Sequence, residues 1–183
     1  MSDASPEQSP ETGPIETGAP RGRPARTYTT GTVTRVLRWV AVGVMVLTIA
    51  AALLSYPSLP EEVPVHFGLS GEPDAWGPKS SIFLLVGIGA AVVFGVAWLS
   101  AHPAWFNYPS TVTRENAQEH YRNGEQMMVW LLLCLAVLFS GILFSSLAPI
   151  TVGWLIAAAG GGIFVSLGVG VARMFRIPEA VRA

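Results

Sequence analysis

Charged residues are scarce in this chain and unevenly placed. They make up 13% of the 183 residues, against about 25% in an average soluble protein, whereas hydrophobic residues make up 51%. Long tracts carry no charge at all, which is typical of a membrane protein rather than a soluble globular one. The net charge of −1 gives no overall attraction to nucleic acid or to acidic ligands.

Cysteine and intramembrane ionisable residues are also nearly absent. The single cysteine, Cys134, excludes an intrachain disulfide, and it lies in an apolar run that fits no metal motif. No Asp, Glu, Lys or His lies near the middle of the hydrophobic segments, although ion-coupled carriers usually contain such a residue. We therefore do not expect a coupled transporter, at least in a monomer.

Four hydrophobic segments are each close to the ~20 residues that a helix needs to cross a bilayer. They cover about residues 36–54, 82–100, 127–147 and 152–172. Because helices satisfy all their backbone groups within one segment, the predicted fold is an all-α bundle of four transmembrane helices. This membrane domain covers residues 31–177. It lies between a polar tail (residues 1–30), which we expect to be disordered, and a short C-terminal tail (residues 178–183).

Basic residues are concentrated on one predicted side of the membrane. Ten arginines lie around the first helix start, in the connector between the second and third helices, and after the fourth helix. The loop between the first two helices contains Lys79 and no arginine. The positive-inside rule therefore predicts a bacterial inner-membrane protein with both termini in the cytoplasm and this loop outside.

Small residues recur at four-residue spacing on two of the predicted helices. They are Gly87, Ala91 and Gly95 on the second helix, and Ala158, Gly162, Ser166 and Gly170 on the fourth. Such spacing allows close backbone approach in a membrane. It fits packing within one bundle and also fits a homodimer seam.

The outer loop is the first candidate site. Apolar residues alternate with other residue types between Val63 and Phe67, which predicts a short extended segment. The following "GLSGEPD" contains Gly, Pro and Asp, which are typical of tight turns. The candidate residues for a recognition surface or a structural cap are Glu61, Glu62, His66, Glu72, Asp74, Trp76 and Lys79. A metal or acid/base site built on His66 and these acids is the alternative, but the loop has no paired histidines and no HExxH motif. We predict no metal, no cofactor and no catalytic residues.

The cytoplasmic connector is the second candidate site. Its polar cluster is predicted to contain Asn107, Tyr108, Glu115, Asn116 and Tyr121. A residue type suited to capping, Thr113, precedes Glu115, which predicts a helix lying on the membrane surface before the third span. A structural hydrogen-bond network is the favoured interpretation.

The N-terminal tail contains "PRGRP", residues 20–24, which resembles the minor-groove-binding core of an AT-hook. The match is short and lies in a segment already rich in these residues. Arginines beside a membrane also bind anionic lipid. We do not expect nucleic-acid binding.

Two longer stretches resemble a known family. The "YPSLPEEVPVHFGLSGEPDAWGPKS" and "WFNYPSTVTRENAQEHY" stretches are similar to a bacterial membrane-domain family of unknown function. The same domain forms the N-terminal part of immunity proteins against sporulation-delaying toxins. The resemblance covers about residues 36–129 and implies location and architecture more than mechanism.

The expected function is non-enzymatic binding, immunity or signalling at the cell envelope, with a protein or peptide partner at the outer loop. A metal-dependent membrane enzyme and a small oligomeric transporter are the alternatives.

Overall fold

The computed structural model describes residues 23–68, 72–148 and 152–178. Within them lie four long helices, α1 (Thr32–Ser55), α2 (Ser81–Ser100), α3 (Ala117–Leu147) and α4 (Gly153–Met174). Two strands, β1 (Glu62–Phe67) and β2 (Pro73–Pro78), lie between α1 and α2. All four helices are long and apolar enough to cross a membrane, which confirms the predicted number of spans.

Helix α3 begins earlier than the sequence predicted. Its 31 residues run without interruption from Ala117, so the predicted surface helix and the predicted third span form one continuous helix. The predicted cap at Thr113 lies one turn before the helix, where its Oγ1 accepts from the Asn116 amide at 3.4 Å, although Asn116 is the residue that directly precedes the helix. The Thr113 amide donates to Asn116 Oδ1 at 2.8 Å, and the Ala117 amide donates to the Thr113 carbonyl oxygen at 3.0 Å. Residues 117–126 join the helix because several of their side chains pack inward.

Helix α3 is the centre of the bundle and packs against α1, α2, α4 and β1. The main core consists of apolar side chains of α1, α2 and α3, such as Met45, Val93 and Leu132. One polar contact crosses this core, between the hydroxyls of Thr48 and Ser140 at 2.8 Å. Large apolar side chains also cover the outside of the helices, as a bilayer environment requires.

The small residues divide into inward and outward sets. A Cβ on Gly162 would lie 2.7 Å from Cys134 Sγ, and a Cβ on Gly170 would overlap Met127, so α4 needs these glycines to approach α3. Gly87 and Gly95 instead have open space beside them on α2. The α4 spacing therefore serves packing within the bundle, and a homodimer through α2 stays a prediction.

Strands β1 and β2 form an antiparallel hairpin at one end of the bundle. The register pairs Glu62 with Pro78 and Phe67 with Pro73, with irregularities around His66. Val63 of β1 is buried and belongs to the main core. The hairpin is thus anchored on the bundle, and the predicted turn residues 69–71 lie outside the described residues.

The segment before α1 contacts the opposite end of the bundle. The Gln118 side chain accepts from the Thr27 amide at 2.9 Å and donates to the Ala25 carbonyl oxygen at 2.8 Å. Tyr121 donates to the Pro24 carbonyl oxygen at 3.0 Å. Residues 23–30, which we had predicted as part of a disordered tail, thus pack along α3. Residues 1–22 and the end of the C-terminal tail lie outside the described residues.

Candidate functional site

Two polar side-chain pairs link the strands of the hairpin. Lys79 Nζ donates to Glu61 Oε1 at 3.0 Å, and this ammonium lies 5.7 Å from the centre of the Tyr56 ring. Toward the turn, His66 Nδ1 and Asp74 Oδ1 lie 2.5 Å apart. His66 and Asp74 are 70% and 51% exposed, so this pair contributes at most about 1 kcal/mol. Both pairs therefore shape the hairpin more than they stabilise it.

The predicted acids and histidine do not form one cluster. Glu61 and His66 are five positions apart along a nearly extended chain, which corresponds to about 16 Å. Glu62 and Glu72 are both exposed. In the described ranges, no group of three His, Cys, Asp or Glu side chains has an arrangement that could hold a metal ion.

An apolar cavity of about 400 Å³ lies between the hairpin and the C-terminal end of α3. Phe67 and Trp76 line it from the hairpin, and Ser145 and Ser146 line it from α3. Trp76 is 61% exposed, and it is the predicted candidate residue that lines this cavity. The buried hydroxyl of Ser145 has no hydrogen-bond partner among the described residues. An indole and an unpaired hydroxyl are groups that a ligand can use.

The connector brings together two of its five predicted residues, Tyr108 and Tyr121, and holds a third, Asn116, by separate backbone contacts. Tyr108 donates to the Pro103 carbonyl oxygen at 2.8 Å, and its ring centre lies 6.0 Å from that of Tyr121. Burial raises the pKa of the Tyr108 phenol well above its usual value. Asn116 donates to the Thr111 carbonyl oxygen at 3.1 Å. These contacts are consistent with the predicted structural network, and His120 also belongs to it, because its ring centre lies 5.4 Å from that of Tyr108 and its Nε2 lies 3.4 Å from the Ser110 hydroxyl.

Asn107 and Glu115 lie on the surface of the connector. A hydrogen bond with Thr113 lowers the pKa of the Glu115 carboxyl, so this acid is ionised over the usual pH range. The structure places neither residue against the Tyr108 and Tyr121 rings. The predicted cluster of five residues is therefore smaller than expected.

A buried carboxylate, Glu125, is the polar group that sequence reasoning missed. Its Oε1 accepts from Arg38 Nη2 at 2.6 Å and from Thr30 Oγ1 at 2.7 Å, and its Oε2 accepts from Tyr28 at 2.8 Å. Arg38 also donates to the Ser100 hydroxyl at 2.9 Å. This network joins α1, the end of α2, α3 and the N-terminal segment.

The phenol of Tyr28 stays a donor in this network. Burial, together with the hydrogen bond to Glu125, raises the pKa of the Tyr28 phenol far above its usual value. Arg38, a charged residue inside the predicted first helix, was the signal in the sequence that pointed to the network, whereas Glu125 lay outside the predicted third span. Their pairing across 87 positions was not visible in any local pattern.

These features define a multi-pass membrane protein with a hairpin at one end and a polar network at the other. A family described as a domain of unknown function (DUF1648) matches residues 43–90, from α1 through the hairpin into α2. An uncharacterized protein from Archaeoglobus fulgidus is 35% identical over 66 residues. That match covers 32% of this chain and 36% of the relative, so the chain spans about a third of the relative's length. Comparison with solved structures gives no match.

Proposed function

We propose that this chain is a non-enzymatic membrane protein that binds a cationic, partly apolar peptide at its hairpin, in an immunity or signalling role. The apolar cavity beneath the hairpin carries the proposal. It has the size of small ligand pockets, and its walls combine aromatic side chains with a few polar groups. Trp76 at its edge belongs to the residue types that dominate binding energy at protein interfaces.

The charge of the hairpin favours a cationic partner. The loop contains four carboxylates and a single lysine, Lys79. The carboxylates belong to Glu61, Glu62, Glu72 and Asp74. Complementary charge raises the association rate and suppresses partners of the same sign. A peptide with basic and apolar faces would place its apolar side chains in the cavity and its charges beside these acids.

The proposed location is the outer face of a bacterial plasma membrane. The arginines of the described residues lie around the connector end, and the hairpin end carries Lys79 and no arginine. This asymmetry supports cytoplasmic termini and an external hairpin. The resemblance to toxin-immunity membrane proteins supports a peptide as the partner at that face.

The two alternatives have less support. A metal-dependent enzyme needs several ligands that converge on one point. In the hairpin, the polar side chains instead form two separate pairs, His66 with Asp74 and Lys79 with Glu61. An oligomeric transporter needs a polar seam between protomers, whereas the outward face of α2 presents glycine and apolar side chains.

The test uses the full chain in nanodiscs of zwitterionic lipid. The probe is a fluorescent amphipathic peptide of leucine and lysine, and a leucine–glutamate peptide of the same pattern is its comparison. We expect wild-type protein to bind the lysine peptide and Trp76→Ala to bind it at least tenfold more weakly, as for the loss of an interface anchor. Trp154→Ala is the matched control, because Trp154 is a similarly exposed indole outside the cavity.

Equal binding of both peptides would remove the charge argument. Equal affinity of wild type and Trp76→Ala for the lysine peptide would show that the cavity is not the peptide-binding site. If the role is immunity, expression of the wild-type protein in cells should raise tolerance to the lysine peptide. Expression of Trp76→Ala at equal abundance should not.

A further inference from the structure

A polar cavity lies at the connector end of the bundle, opposite the hairpin. It has a volume of about 300 Å³ and lies between the start of α3 and the end of α4. Arg122, Arg173 and Arg176 line it together with the amide side chains of Asn123 and Gln126 and one acid, Glu119. Three positive charges against one negative charge make this cavity attractive to an anion.

None of the three arginines forms an ion pair with a carboxylate of the described residues. Arg122 lies 5.2 Å from the centre of the Tyr28 ring and also lines the cavity. Guanidinium groups bind phosphate oxygens in a bidentate geometry, so this set fits a phosphate better than a compact halide.

A second, apolar cavity continues from the first one into the span. It has a volume of about 390 Å³, and Arg173 lines both cavities. Met127, Trp130 and Cys134 of α3 form one wall, and Gly162, Val165 and Val169 are on the α4 side. Met127 and Cys134 are seven positions apart, which corresponds to about 10 Å along the helix, directed from the arginines toward the middle of the span.

The α3–α4 contact keeps this arrangement in place. Asn123 Nδ2 donates to the Gly170 carbonyl oxygen at 2.8 Å, next to the junction of the two cavities. Gly170 has no room for a side chain, because a Cβ there would overlap Met127. The groove therefore has a fixed polar end and an apolar wall of close-packed helices.

We propose that α3 and α4 form a binding site for one anionic phospholipid. Its phosphate headgroup occupies the cavity of Arg122, Arg173 and Arg176, and an acyl chain lies in the groove between Trp130 and Val169. Charge and position select this occupant: the polar cavity is cationic, and the groove that leaves it is apolar and lies in the span. The site is independent of the proposed peptide-binding hairpin, which is at the other end of the bundle.

The headgroup is tested by native mass spectrometry of the purified chain with phosphatidylglycerol or phosphatidylcholine. We expect wild type to retain phosphatidylglycerol preferentially, and Arg173→Gln/Arg176→Gln to bind it about 30-fold more weakly, at about fivefold for each arginine. The matched control is Arg35→Gln/Arg114→Gln, which removes two exposed arginines from the same end and should keep the preference. Equal loss in both double variants, or no preference in wild type, would overturn the proposal.

The acyl chain is tested by filling the groove. Val169→Trp places an indole in the groove, whereas Val171→Trp places one on the same helix outside it. We expect Val169→Trp to bind phosphatidylglycerol at least tenfold more weakly than wild type, and Val171→Trp to bind it with unchanged affinity. Inorganic phosphate at millimolar concentration should not displace the lipid. Displacement by phosphate, or retention of the lipid by Val169→Trp, would show a soluble anion site and overturn the lipid assignment.

Discussion

The carboxylate of Glu125 lies among four groups that donate hydrogen bonds or positive charge. Arg38, Thr30 and Tyr28 donate to it directly, and Arg26 Nη1 lies 3.6 Å away. Its side chain is 2% exposed, and that of Arg38 is 16% exposed. An ion pair in such a place costs much to desolvate, so its value depends on both partners being present. The network is therefore better understood as a specific joint between elements than as a source of large net stability.

Removal of one partner of this pair should be more harmful than removal of both. We expect Glu125→Leu to lower the free energy of unfolding in detergent by about 3–5 kcal/mol, because it leaves Arg38 without a carboxylate partner, and Arg38→Leu to lower it by less, because Arg26 still lies 3.6 Å from Glu125. The double variant should recover part of that loss. Glu61→Gln, which breaks the exposed Lys79 pair, is the control and should cost no more than ~1 kcal/mol. Additive losses in the double variant would show that the two charges are not coupled.

At the scale of elements, the spans were predictable and their junctions were not. Length and apolar composition alone predict four helices, because the bilayer sets both. The third span was predicted to begin at residue 127, with a surface helix before it, whereas residues 117–126 and the span form one helix in the structure. Their inward packing depends on the connector and on the N-terminal segment, and the hydrogen bonds to that segment span 93 and 97 positions of the sequence. The cavity under the hairpin was missed for the same reason, because Ser145 is about 70 positions from Trp76.

The α3–α4 contact offers a test at this scale. Gly162→Ala should destabilise the bundle by ~1–3 kcal/mol, because the new Cβ would lie 2.7 Å from Cys134 Sγ. The same change in a Cys134→Ala background should cost little, since the sulfur has been removed. Gly161→Ala has open space beside it and should be neutral or should stabilise the helix by up to ~1 kcal/mol. Detergent unfolding of the four variants measures these differences, and an equal cost in both backgrounds would contradict the close approach.

The whole molecule has two chemically different ends. The hairpin end combines carboxylates with an apolar cavity, and the connector end combines arginines with the Glu125 network. Between them the helices are apolar on almost all sides. This separation lets one end meet a peptide while the other end holds lipid headgroups, and both proposals depend on which side of the membrane each end faces.

The orientation can be tested by cysteine labelling in cells, in a Cys134→Ala background. Glu62 and Arg114 are both exposed and lie at opposite ends of the bundle. We expect Glu62→Cys to react with a membrane-impermeant maleimide in intact cells, and Arg114→Cys to react only after permeabilisation, because the positive-inside rule predicts that the arginine-rich end faces the cytoplasm. Labelling of both variants in permeabilised cells is the control for accessibility. The reverse pattern in intact cells would place the hairpin in the cytoplasm, and an external peptide could then no longer be its partner.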